Sequence, residues 1–273
     1  MTQAGDPTPG EIETARAWLA KHGVHVPRPT RLLSIRLGTR KRARWTRLSY
    51  YWFLAILAIC GAVGYQALQY LPNVRGKDMT ESNALYFVYM ALQFTTWLTG
   101  RKQDRRALQR LSLPATSFPR RSSWQVLGGW FIAGTVTTFG GGAALGVAMY
   151  LTTSARTYAW SWLGLLALSA IATTVTVNGV LRAPTIAEDE GSLAVDELVR
   201  TENAFALFPA MFAIPVLFDL ISDNRQPHTF TWLLVGYAAL SVGLQTVGII
   251  LNRRRRLPGA DDPRPALVED EAR

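Results

Sequence analysis

Six apolar runs alternate with polar connections along this chain: Tyr50–Asn73, Ser82–Thr99, Trp124–Leu151, Thr157–Leu181, Asn203–Ser222 and Thr229–Leu251. Crossing a bilayer as a helix takes about 20 mostly apolar residues, and each run is near or above that length. None holds a Lys or Arg, and Asp219 is the one Asp or Glu inside them. A segment surrounded by lipid has to satisfy its backbone hydrogen bonds internally, which predicts helices. The run lengths, and the Gly, Ala and Thr scattered through them, do not fit the short alternating segments of outer-membrane strands. The fold class expected is all-α: a polytopic integral membrane protein, a bundle of six transmembrane helices.

Charge adds an orientation. The 273 residues carry 29 Lys and Arg against 19 Asp and Glu, a net charge of +10, yet only 18% of residues are charged. Average soluble domains carry about 25%, so the basic groups here are crowded into few places. Residues 1–49, 100–123, 182–202 and 252–273 hold 25 of the 29; the connections 74–81, 152–156 and 223–228 hold 4. Cytoplasmic segments retain Lys and Arg, so both termini are predicted to be inside. The positive excess then reads as a topology signal and not as a nucleic-acid surface. The first apolar run is too long and too late for a cleaved signal peptide, and the plan predicts a multi-pass protein of the cell's inner (plasma) membrane. Three regions are expected: a basic arm over 1–49, a membrane domain over 50–251 and a disordered tail over 252–273.

The polar segments are legible in places. Thr8-Pro9-Gly10-Glu11 offers an N-cap hydroxyl, a Pro at the first helical position and a capping-box Glu, the start signal of a short helix. Ile12, Ala15, Trp18 and Leu19 fall on one face of it, and Gly23 is placed to end it. From Arg31 to Arg47 basic residues alternate with Leu32, Leu33, Ile35, Leu37 and Trp45. That pattern suits either a segment lying on the anionic inner leaflet of the lipid bilayer or a plain topology determinant. The loop 182–202 has the opposite sign. Glu188, Asp189, Glu190, Asp196, Glu197 and Glu202 face only Arg182 and Arg200, and a cytoplasmic helix is predicted over about 187–203. Its acids would pair with the protein's own basic segments, remain solvated, or dock a cytoplasmic protein partner or a second copy of the chain. A run on one exposed helix does not make a metal site.

Inside the membrane the third run stands out for Gly140, Gly141, Gly142 and Gly146. Gly142 and Gly146 form a GxxxG pair that allows close helix approach, and three consecutive glycines alternatively permit a break of the kind seen in transporter helices. Ala239, Gly243 and Gly248 mark the sixth run as a partner for the third. Pro209 and Pro215 predict kinks in the fifth. Asp219 is a functional candidate because an intramembrane acid is costly, although its place about one turn from the outer end, near Asp223 and Arg225, favours an interfacial acid with a local partner. Gln66, Gln69, Gln93, Asn178 and Gln245 would line a cavity or join helices.

Catalytic patterns are missing. The sequence has no HExxH, GxSxG or GxxxxGK[ST], one acid where an aspartyl dyad needs two, and no intramembrane His. Asp196-Glu197-Leu198-Val199-Arg200 is one residue short of the EExxxR of CAAX-type proteases. Cys60 stands alone, which excludes an internal disulfide and any multi-cysteine metal site; no cofactor or metal is expected. Six spans, both termini inside and an amphipathic arm are similar to the general plan of exporter permeases driven by a separate ATPase, a likeness of architecture that carries no motif. The function expected is a transport-related membrane subunit working with a soluble partner; the alternative is a non-transporting membrane scaffold or regulator, and an enzyme is not expected.

Overall fold

The computed structural model describes residues 6–40, 82–111, 123–222 and 226–257. The first apolar run with Gln66 and Gln69, the positions Asp223 and Arg225, and the tail beyond residue 257 lie outside the described residues. The described residues are helical, with no strand among them. Four helices are long and apolar enough to cross a membrane: Val126–Thr152, Arg156–Leu181, Glu190–Ile221 and His228–Arg253.

Helix α1 covers Pro9–Lys21 and begins with a capping box in which the Thr8 N–H donates to Glu11 Oε2 at 2.9 Å. It ends where Gly23, at φ 86°, turns the chain away, and the Val24 N–H closes back onto the Leu19 carbonyl at 3.0 Å. Helix α2 occupies residues 31–40. These two form a compact unit with the far end of α3 (Asn83–Leu111) and with α7 (Glu190–Ala206). Leu19, Leu33, Ala107, Ile186, Val195 and Leu257 lie in one buried apolar cluster. The residues of 31–40 are thus not spread on a surface: Leu33 and Ile35 are fully enclosed, and even Arg36 is only 4% exposed.

Helix α3 extends the second apolar run well past Thr99. Its 29 residues reach about 44 Å at 1.5 Å per residue, and it is not among the four helices apolar enough to cross a membrane. The third run is α4 (Ser123–Val136), a π-helical turn at Thr137–Gly141, and α5 (Gly142–Thr152). The consecutive glycines therefore widen the helix by one turn without breaking it. Gly142 and Gly146 pack against the fourth run, α6 (Arg156–Leu181): a Cβ at Gly146 would come within 2.7 Å of Leu163, and one at Gly142 within 2.9 Å of Leu166. The real departure from helix lies at Gly128, with φ 74° and ψ 157°, a conformation open to glycine and strained for other residues. The third run also meets the sixth, α9 (Thr231–Arg253), where a Cβ added at Gly134 would come 3.5 Å from Gln245 and Gly248 accommodates Phe205 and Trp130. Gly243, by contrast, faces open space.

The fifth run departs furthest from a simple span. The acidic segment and the start of the run are one helix, α7, which begins at Glu190 because Asp189 caps it, accepting from the Ser192 N–H at 2.6 Å. After Ala206 the helix stops. Phe208 takes left-handed dihedrals (φ 45°, ψ 64°), Pro209–Ala213 form a 3-10 turn, and α8 restarts at Pro215–Ser222. Proline contributes to both events: it disfavours the helical region for the residue before it, here Phe208, and supplies no N–H to the ladder, whereas at the first position of a helix, as at Pro215, it is well tolerated. This element is also the most enclosed. Its most apolar stretch is 61% buried, against 28–33% for the other three, which puts it at the centre of the bundle. Large apolar side chains point outward elsewhere, Trp232, Trp160 and Ile171 among them, as expected of faces turned to lipid and not to water.

Candidate functional site: a broken span between two buried carboxylates

Where α7 ends, backbone groups lose their helical partners inside an apolar bundle, and such groups cost several kcal/mol each in lipid if left unpaired. Side chains from two other helices meet them, and a third helix supports one of these. Gln93 of α3 donates through Nε2 to the Leu207 carbonyl at 3.1 Å, and Gln245 of α9 accepts at Oε1 from the Ala210 N–H at 2.9 Å. Gln93 Oε1 in turn accepts from the Thr173 hydroxyl of α6 at 3.1 Å. Both glutamines are fully buried. The neighbouring π turn is held in the same way: the Tyr237 hydroxyl donates to the Thr138 carbonyl at 2.7 Å. Gln93 and Gln245 join helices by mending a break, the second of the two uses their sequence positions allowed. Asn178 does not take part; it lies exposed near the end of α6.

Toward one end of the bundle stands Asp219 of α8, 4% exposed. Oδ1 accepts from the Ser82 N–H, directly before α3, at 2.9 Å, and Oδ2 accepts from the Tyr158 hydroxyl at 2.9 Å. Gln226 donates to the same Tyr158 oxygen and to the Val216 carbonyl, both at 2.8 Å. The carboxylate thus sits at the N-terminus of a 29-residue helix, where the helix dipole favours negative charge. Sequence placed this acid near an interface with charged neighbours; the structure surrounds it with protein donors from α3 and α6.

The other end carries the ionic chemistry. Asp196 of α7, 1% exposed, lies between Arg36 of α2, which donates through Nη2 to Oδ1, and Arg200, whose Nε reaches Oδ2 at 2.7 Å. Each arginine also binds a carbonyl: Arg36 Nη1 reaches Ile186 O at 2.6 Å and Arg200 Nη1 reaches Leu181 O at 3.1 Å. A second group centres on Glu202, which accepts from Arg40 Nη1 at 3.0 Å and from Trp18 Nε1 at 3.3 Å. His22 packs on Trp18, donating from Nδ1 to the Trp18 carbonyl at 2.9 Å, with Nε2 3.7 Å from Glu202. The acidic helix therefore pairs with the protein's own basic arm. Of its five docking candidates, Glu188 and Glu190 are exposed, Asp189 and Glu197 are half-buried and Asp196 is enclosed. Glu11 closes the unit by binding Arg110 at 2.6 Å; burial raises its pKa, but the hydrogen bonds from Arg110 and Thr8 outweigh it and hold the carboxyl below its usual range. Asp104 is pushed the other way, its burial only partly offset by Arg36 and Arg40.

Arg36, Trp18, Ser82, Tyr158 and Thr173 were not singled out by sequence. Each acts across a separation of 61 to 184 residues, and no local pattern announces such a pairing. Comparison with protein-family models, with curated proteins and with solved structures gave no match.

Proposed function

We propose that the chain is a transport-related subunit of the inner membrane, in which a cytoplasmic unit built from the arm and α7 acts on a discontinuous fifth span. Six spans, with both termini in the cytoplasm, complete the reading. The observation that carries it is the break at Leu207–Ala213. It lies about 12 Å, eight residues of α6 or α9, inside the arm end, and it is continuous through α7 with the segment bearing Asp196 and Glu202. Discontinuous helices at membrane depth occur where backbone lines a pathway or moves, and here the break keeps only short-range backbone bonds, supplemented by Gln93 and Gln245 from other helices. Glu188, just before α7, and Glu190, at its first position, both exposed, are the surface offered to a soluble partner.

Two experiments test the reading. With Cys60→Ser as background, single cysteines at 210–213 are expected to react with a small water-soluble thiol reagent in sealed vesicles, faster than a control at Phe131. Complete protection of all four favours the second reading, a non-transporting scaffold, for which the rigid pairing of arm and α7 speaks. Reporter fusions at the C-terminus should be active on the cytoplasmic side; activity outside overturns the topology.

A further inference from the structure

A cleft opens beside the arginine pair, at the level where α3 passes from apolar to charged residues. It is bounded by Arg36 of α2, by Trp97, Arg101, Gln103 and Asp104 of α3, and by Gly179 and Arg200 from α6 and α7, and encloses about 50 Å³. One water needs roughly 10–15 Å³ measured in this way, so there is space for a tetrahedral oxyanion. Three side chains on its wall carry buried nitrogens with no hydrogen-bond partner: Arg36 Nε, Trp97 Nε1 and Gln103 Nε2. All three are donors, and Arg36 is itself 4% exposed. Leaving a buried donor unpaired costs about 1–3 kcal/mol, so an acceptor-only group that these side chains turn to meet would recover it; Trp97 Nε1 now lies against Gly179.

The charges agree. Asp196 already engages Arg36 and Arg200 from behind, and Arg101 lies exposed with its guanidinium 5.3 Å from the centre of the Trp97 ring. The indole is seated against Gly179, where a Cβ would collide with it. The one acid on the wall, Asp104, has its carboxyl pushed above the usual range by burial.

We propose that this cleft binds a phosphate group, its oxygens accepting from Arg36, Trp97 and Gln103 with Arg101 at the mouth. Arginine and planar N–H donors suit phosphate oxygens. The group comes either from the headgroup of an anionic lipid, since the cleft lies where spans meet water, or from a soluble phosphate ester. The inference stands whether or not the chain transports anything.

The test uses the full chain in phosphatidylcholine nanodiscs, in two arms: titration with glycerol 3-phosphate, and incorporation of phosphatidylglycerol at increasing mole fraction. Saturable thermal stabilisation in one arm identifies the source. Trp97→Phe with Gln103→Met should weaken that response at least tenfold, and Arg101→Gln several-fold, while melting without ligand stays close to wild type. If the double variant melts early, Arg101→Gln and Gly179→Ala, which displaces the indole, carry the comparison. No saturable response in either arm, or equal responses in wild type and all variants, overturns the proposal.

Discussion

Asp196 and Asp219 are both enclosed carboxylates, 1% and 4% exposed, yet their charge is met in opposite ways. Asp196 lies between two guanidinium groups, Arg36 and Arg200. Asp219 has a backbone N–H and a tyrosine hydroxyl, from Ser82 and Tyr158. The difference follows from what each end of the bundle can supply. The arm end draws on a segment dense in arginine, while Asp219 sits in a run with no Lys or Arg, and among the described residues the dipoles of Ser82 and Tyr158 meet it. A charge pair and a dipole cage solve one problem, but they fail differently when a member is removed.

The largest contrast is expected from Asp196→Ala. Two buried cations would lose their counter-charge, and breaking a buried ion pair costs about 3–5 kcal/mol; the folded yield in detergent should collapse, with Asp196→Asn intermediate. Asp219→Ala should cost less, about 1–3 kcal/mol, because the Ser82 N–H and Tyr158 hydroxyl that it leaves unsatisfied are neutral donors, and it should appear as a lower melting temperature with the fold retained. If Asp219→Ala proves as damaging as Asp196→Ala, the distinction between ionic and dipolar compensation fails here. Gly128→Ala comes next, at about 1–2 kcal/mol for a side chain placed in a left-handed conformation, read from the same melting curves; it tests whether that kink is required for the approach of α4 to α9.

The smallest effects concern pH and separate two acids within the arm end itself. Asp104 has a folded pKa raised above the ordinary 3.8. The fold therefore binds its proton more tightly than the unfolded chain does, and stability falls as pH rises through that interval. Asp104→Asn should raise the melting temperature at neutral pH, and the gain should vanish in acid. Glu11 is lowered from 4.5. Its contribution is complete above 4.5 and is lost as pH falls through the folded value, so Glu11→Gln should destabilise at neutral pH by under about 1 kcal/mol and converge with wild type below 4.5. Melting both variants between pH 3 and 7 checks the two signs together, pH 3 being below both ordinary values.

Particular elements show how far sequence reaches. The capping box at Thr8 and Glu11 was visible because its partners are three residues apart, and Gly142 and Gly146 signalled close packing because, four apart, they lie on one face. Pro209 marked a weak point in the fifth run, since the loss of an N–H is a property of the residue itself. Phe208 gave no such sign: its left-handed conformation is costly for a phenylalanine and persists only where the surrounding fold holds it. Gly128 was likewise indistinguishable from Gly129 until the backbone was seen.

What the sequence determined by itself was the set of apolar runs, the crowding of Lys and Arg into four segments, and the local start and stop signals, because periodicity, capping and charge partition depend on near neighbours. What only the tertiary structure decided was where the polar side chains go. Arg36 finds Asp196 from 160 positions away, and Gln93 and Gln245 mend a break in a helix to which neither belongs. A buried polar group has to be satisfied by whatever the fold brings to it, and that is a property of the folded chain in three dimensions and of no segment alone.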